Sequence, residues 1–204
     1  DGGALCIDEE SIRQPLGVCA AVAPFNFPAM VPFWFWPVAV ACGNTYVVKP
    51  SEQVPITQAK IFELVREAGF PDGVINLVNG DREVVDALIA DPRVRAISFV
   101  GSTPVARHIF SEAAARGKRV QCQGGAKNVI TVMPDADLDV HLPNMVSSFF
   151  GNSGQRCLAG AILVAVGSRA DEVIERFVAA ARKLRLGYGL DESAQMGPLA
   201  GERH

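Results

Sequence analysis

Short apolar runs alternate with segments of helical periodicity along most of this chain, and that alternation constrains its fold more than any other feature. The runs are residues 17–23 (GVCAAVA), 44–48 (NTYVV), 74–78 (VINLV) and 94–100 (VRAISFV). Helices are predicted at 29–41, 56–68, 82–90 and 104–115. In the 56–68 segment, Ile61, Leu64, Val65 and Ala68 fall on one face at the helical period. The 104–115 segment opens with Pro104, whose fixed φ suits a first helical turn. Strand, helix and strand in regular order predict an α/β fold: a parallel sheet with helices on both faces. After Gly117 the pattern shifts. Residues 119–122 and 129–133 read as strands and 137–149 as a helix. A polar, glycine-bearing stretch follows at 151–157, then a strand at 161–166 and a helix at 171–184. A domain boundary is expected near residues 121–125.

Composition excludes several classes. Hydrophobic residues make up 49% of the chain and charged residues 20%, enough to bury a sizeable core. The net charge is −3 and the Lys and Arg residues are scattered, so no nucleic-acid face is expected. The most apolar stretch, 27–42, is interrupted by Pro28, Pro32 and Pro37 and is shorter than the roughly 20 residues of a membrane span. It reads as a buried helix. The five cysteines are odd in number and lack a CxxC pair, which argues against a disulfide framework or zinc site and for a reducing compartment. The chain begins at Asp1 and shows no signal-peptide pattern, so it is expected to be an incomplete cytoplasmic protein, or a mitochondrial-matrix one if eukaryotic.

A parallel sheet of this kind binds ligands at the carboxyl ends of its strands. Three segments fall there: 23–28 (APFNFP), 49–52 (KPSE) and 101–104 (GSTP). Ser102 and Thr103 at a helix start offer hydroxyl and N–H donors to a pyrophosphate. Read alone, GSTP is equally a helix cap and KPSE a turn with a solvated ion pair. No GxGxxG is present.

The segment Ser153-Gly-Gln-Arg-Cys157 differs from the surroundings of the other cysteines. Cys6 lies near the start, and Cys19, Cys42 and Cys122 lie in or beside apolar runs. Cys157 follows a polar loop, with Arg156 beside it to favour a thiolate. A thiolate adds to carbonyl carbon, and the resulting oxyanion needs donors. The Asn26 carboxamide is one candidate; a turn residue with a satisfied amide is the other reading. The three histidines show no metal spacing.

Six motifs, PFNFP (24–28), KPSE (49–52), FVGST (99–103), QGGAKN (123–128), GQRC (154–157) and MGPL (196–199), occur in the order found in the aldehyde dehydrogenase superfamily. The chain resembles that superfamily over nearly its whole length after about Arg13. The resemblance implies a parallel Rossmann-like NAD-binding sheet in residues 1–122, and the first part of a second α/β catalytic domain in 123–204. It implies Cys157 as nucleophile, with the Asn26 amide and the Cys157 N–H as oxyanion donors. It implies Lys49 and Glu52 at the adenosine ribose, Ser102 at the pyrophosphate, and Ala23 and Phe25 on the nicotinamide side. Gln53 and Gly124 complete the implied cofactor contacts. A homo-oligomer is expected of the full-length protein, with no nucleic-acid or membrane partner.

The departures narrow the reading. Hydrolytic members carry a glutamate base in the motif that begins here at Gln123. A carboxamide takes no proton from water at neutral pH, whereas a thiol (pKa roughly 8.5 by analogy with Cys) ionises readily. Loss of the base is thus compatible with transfer to coenzyme A. Phe25, Met30 and the Gln-Arg-Cys sequence resemble the CoA-acylating methylmalonate-semialdehyde dehydrogenases, which usually carry Asn where this chain has Gln123. The expected substrate is a small aldehyde with a carboxylate, which Arg156 would pair. The resembled reaction passes hydride to NAD and yields propionyl-CoA or acetyl-CoA with loss of carbon dioxide. The alternatives are a hydrolytic aldehyde dehydrogenase and an inactive nucleotide-binding fragment.

Overall fold

In the computed structural model, which describes residues 9–202 and 204, the VCAAV segment forms the middle strand of a five-stranded sheet. The strands are β1 (Val18–Val22), β2 (Thr45–Lys49), β3 (Ile75–Leu77), β4 (Val94–Val100) and β5 (Arg119–Gln123). All pair in parallel, in the order β3-β2-β1-β4-β5. The chain runs outward from β1 through β2 to β3, then crosses back to β4 and β5. That reversal makes a switch point between β1 and β4, where such sheets take ligands.

The side chains of β1 alternate between two cores. Cys19 and Ala21 pack with Tyr46, Val48 and Ile75 under α2 (Trp36–Ala41) and α3 (Pro55–Glu67). Ala20 and Val22 pack with Ile97 and Phe99 under α4 (Arg82–Ala90) and α5 (Thr103–Ala115). The β1–β4 register slips by one residue after Val18, a bulge that lets Val94 and Ile97 face the same core. This is the expected α/β sheet with helices on both faces. The chain divides into two units, Asp1–Gly124 and Gly125–His204.

In the second unit β6 (Asn128–Val132) and β7 (Gly160–Ala165) pair in parallel. α6 (Leu138–Phe150) and α7 (Ala170–Ala181) cover one face, burying Val132, Leu138, Met145 and Val173. Asp137 caps α6, its carboxylate accepting from the N–H groups of Asp139 and Val140. Two short 3₁₀ turns, Gly151–Gly154 and Gly167–Arg169, flank β7.

Three expectations need correction. The predicted helix at 29–41 is two short helices, α1 (Met30–Phe33) and α2, because Pro37 in the first turn of α2 has no N–H to continue the ladder. Nor is that segment buried throughout, for Phe33, Trp34 and Val38 are exposed. The inward face of α3 is Gln58, Phe62 and Val65, whereas Leu64 is 62% exposed and Ala68 also faces solvent. The helical period was right and its phase was not. α7 ends at Ala181, short of residue 184. Among the described residues no helix is long and apolar enough to cross a membrane.

Adjacent positions on α5 test the packing. Ile109 is fully buried and Phe110 is 52% exposed. Ile109→Ala is expected to cost about 2–5 kcal/mol in urea unfolding, and Phe110→Ala only about 0.5 kcal/mol. Equal costs would contradict the assigned helix face.

Candidate active site

The predicted cofactor and oxyanion residues of the first unit lie at or just beyond strand carboxyl ends. Ala23, Phe25 and Asn26 follow β1, Lys49 ends β2 with Glu52 and Gln53 beyond it, Ser102 follows β4, and Gly124 follows β5. The Ala23 N–H donates to the Lys49 carbonyl at 2.9 Å, so the exit of β1 is tied to the end of β2. Phe25 and Asn26 are half-buried.

Lys49 has a side chain only 2% exposed. Its Nζ donates to the Pro50 carbonyl at 2.6 Å and lies 3.5 Å from Glu52 Oε2. The stem is therefore held in the core while the ammonium sits beside an exposed carboxylate, a pair suited to polar hydroxyls. Ser51 Oγ accepts from the Gln53 N–H at 3.3 Å and shapes the turn that presents Glu52.

At the switch point, Ser102 is the N-cap of α5, and its carbonyl accepts from the Ala106 N–H at 2.9 Å. Its hydroxyl makes no capping bond. The simple side-chain cap is thus not what this serine provides, and it stays exposed at a helix end that favours anions. Gly124 lies against that helix start: a Cβ there would stand 3.0 Å from Thr103 Oγ1 and 3.3 Å from Thr103 Cα. A side chain at this position would crowd the start of the helix. A buried cation beside a carboxylate, a helix start and a glycine cradle fit a dinucleotide.

The second unit carries the predicted nucleophile segment. α6 runs into the turn Gly151–Gly154, where Asn152 and Ser153 have φ of 52° and 55° and Gly154 has 70°. Left-handed backbone is tolerated by Asn but disfavoured for Ser, so Ser153 in particular has to be held by its surroundings. The Ser153 hydroxyl donates to the Gly197 carbonyl at 2.7 Å, with Pro198 O at 3.3 Å. The Asn128 carboxamide donates to the Cys157 carbonyl at 2.8 Å and to the Ala159 carbonyl at 3.0 Å. The Arg156 guanidinium lies over Gly151, where a Cβ would meet it at 3.0 Å.

QGGAKN, GQRC and MGPL are therefore joined by hydrogen bonds around one turn. Sequence reasoning quoted these motifs without foreseeing that Asn128 and Ser153 bind them together. The contacts span 29 and 44 residues, so no local pattern announced them.

Among the described cysteines only Cys157 is exposed. Burial pushes the thiols of Cys19 and Cys122 up, away from thiolate. Cys6 lies outside the described residues. The predicted site residues thus form two sets, one in each unit. His108 is a surface partner of Asp86 at 2.7 Å, and no metal-binding cluster occurs among the described residues.

Residues 7–204 match the model of the aldehyde dehydrogenase family. The chain belongs to that family. It is 51% identical over 198 residues to malonate-semialdehyde dehydrogenase 2 of Geobacillus kaustophilus, a match covering 97% of this chain and 41% of the relative. It is 50% identical to malonate-semialdehyde dehydrogenase of Pseudomonas aeruginosa, over 95% of this chain and 39% of that protein. A Sinorhizobium meliloti structure described as a methylmalonate-semialdehyde dehydrogenase complexed with NAD superposes with a TM-score of 0.91 at 46% identity. That superposition covers 94% of this chain and 39% of the other. The methylmalonate-semialdehyde dehydrogenase of Oceanimonas doudoroffii superposes with a TM-score of 0.89 at 50% identity, over 92% and 38%. The chain spans about two fifths of the length of these relatives.

Family membership makes the exposure of Cys157 chemically pointed. Iodoacetamide is expected to label Cys157 well ahead of Cys19 and Cys122 under native conditions, read by peptide mass mapping. Comparable labelling of Cys19 would show that the burial assignments are wrong.

Proposed function

We propose that this chain supplies the NAD-binding domain (residues 1–122) and the nucleophile segment (within 123–204) of a CoA-acylating dehydrogenase for malonate or methylmalonate semialdehyde. The observation that carries the reading is Cys157, exposed three residues after a strained turn, with Ser153 holding that turn and Asn128 holding the Cys157 carbonyl. The names of the relatives point to the substrate, and Gln123 points to the acyl acceptor.

In this reading Lys49 and Glu52 hold the adenosine ribose with Gln53 at their side, and Ser102 meets the pyrophosphate beside the Gly124 cradle. Ala23 and Phe25 contact the nicotinamide side through their backbone. NAD, when bound, supplies the hydride acceptor. The Cys157 thiolate adds to the aldehyde carbon, forming a C–S bond and an oxyanion. The Asn26 carboxamide and the Cys157 N–H donate to that oxygen, stabilising charge as it develops. Departure of hydride from the same carbon leaves a thioester on Cys157. The thiolate of coenzyme A then adds to the thioester carbon, and Cys157 leaves as a thiolate. The β-carboxylate departs as carbon dioxide, and the carbon it leaves takes a proton.

Gln123 is exposed at the end of β5, and its carbonyl accepts from the Gly101 N–H at 3.0 Å. Its carboxamide cannot serve as a general base for water. The full-length enzyme is therefore expected to form a burst of NADH and stall without coenzyme A, resuming when coenzyme A is added. Cys157→Ala should abolish the burst. Equal steady rates with and without coenzyme A would overturn the proposed acceptor.

Arg156 is exposed next to the nucleophile. If its guanidinium pairs with the substrate carboxylate, losing that charge-assisted contact costs on the order of 1.5–3 kcal/mol, or roughly 10- to 150-fold in kcat/KM. Arg156→Leu is then expected to impair malonate semialdehyde far more than uncharged propanal. A uniform loss on both substrates would assign Arg156 to thiolate stabilisation instead.

A further inference from the structure

Gln58 is a polar side chain with no exposure at all. It lies on α3 and faces the segment that leaves β1. Its Nε2 donates to the Pro28 carbonyl at 2.5 Å, across 30 residues of sequence. Its Oε1 is also buried and has no hydrogen-bond partner among the described residues. The stranded carbonyl oxygen costs stability, which offsets what the Nε2 bond to Pro28 contributes. What the amide provides is therefore the fixed position of Pro28. Residues that break a local rule of burial are most often retained for a site.

The contact reaches the segment that matters. Pro28 closes the PFNFP motif, and the Phe27 carbonyl accepts from Val31 N–H at 3.3 Å as α1 begins. Upstream, the segment is fastened at Ala23 by its bond to the Lys49 carbonyl. Between the two fastenings lie Pro24, Phe25, Asn26 and Phe27. The Ala23 bond fixes one end of this span and the Gln58 bond fixes the other.

We propose that Gln58 is a positioning residue: its carboxamide clamps Pro28 to α3 and so sets the direction of the Asn26 carboxamide two residues earlier. This rests on the reading of Asn26 as an oxyanion donor. Gln58 touches neither substrate nor cofactor in this account. It acts through the backbone of the PFNFP segment, and a small misplacement of a donor is enough to slow the chemical step strongly.

The test uses the NADH burst of the full-length enzyme together with thermal unfolding. Gln58→Met keeps the volume and deletes the donor. It is expected to leave Tm nearly unchanged, because loss of the stranded Oε1 offsets loss of the bond to Pro28, while slowing the burst roughly 10- to 100-fold with the KM for NAD little changed. Gln58→Glu keeps the shape but donates only when protonated, so its burst rate relative to the parent should recover as pH falls. In an Asn26→Ala background, Gln58→Met should cost nothing further. A wild-type burst in Gln58→Met, a loss of rate that follows a fall in Tm, or additive losses with Asn26→Ala would each overturn the proposal. If Asn26→Ala itself left the burst unchanged, the oxyanion reading would fail. A slow Asn26→Ala beside an unimpaired Gln58→Met would refute the clamp alone.

Discussion

Burial of β1 on both faces is the constraint from which the first unit follows. Cys19, Ala20, Ala21 and Val22 are all at most 5% exposed. A strand covered on both sides carries charge only at a cost, and VCAAV carries none. Its side chains are also small, which lets α2 and α3 on one side and α4 and α5 on the other approach the sheet closely. A larger residue at Ala20 or Ala21 would have to displace one of those layers, since packed cores tolerate little added volume. Strand order adds the second consequence. With β1 in the middle and the chain reversing to β4, the segment after Val22 and the segment after Val100 come to the same edge. PFNFP and GSTP are therefore neighbours by topology.

That edge combines two kinds of support. Lys49 and Gln58 are buried polar groups, each spent on fixing a backbone carbonyl, Pro50 and Pro28 respectively. Proline has no N–H of its own, so its carbonyl is the polar group by which such a segment can be held. Glu52 and Ser102 stand exposed beside them. Buried groups that fix the backbone give such an edge the rigidity on which a site can be mounted.

Much of this was legible in the sequence, and the exceptions have physical reasons. The strands were found because doubly covered parallel strands read as continuous apolar runs. The phase of α3 was misread because Leu64 and Ala68 share the apolar pattern but face solvent, while the inward position at 58 is a glutamine. Apolarity marks an inward face only when the core takes no polar side chain. The helix at 29–41 failed for a local reason, a proline whose backbone consequence outweighs the apolar run around it. Motif positions were readable along the chain. The bonds that make them a site were not, since Asn128 to Cys157, Ser153 to Gly197 and Gln58 to Pro28 are all long-range.

The turn before Cys157 shows why those long-range bonds are needed. Asn152 and Ser153 both adopt left-handed backbone, which asparagine tolerates better than most residues but which costs Ser153 roughly 1–2 kcal/mol relative to the right-handed form. Gly154, next in line, carries no such cost. A free peptide of this sequence would relax, and the direction of Cys157 would be lost with it. Two fastenings oppose that relaxation from different elements. Ser153 holds the turn to Gly197 and Pro198, and Asn128 at the start of β6 holds the chain on either side of Leu158. A single carboxamide with two donors on two carbonyls also fixes the plane of the peptide that follows Cys157. The strain and its restraint leave the thiol exposed on a backbone that cannot easily swing, the support that the proposed nucleophile would need to meet a carbonyl carbon from one direction.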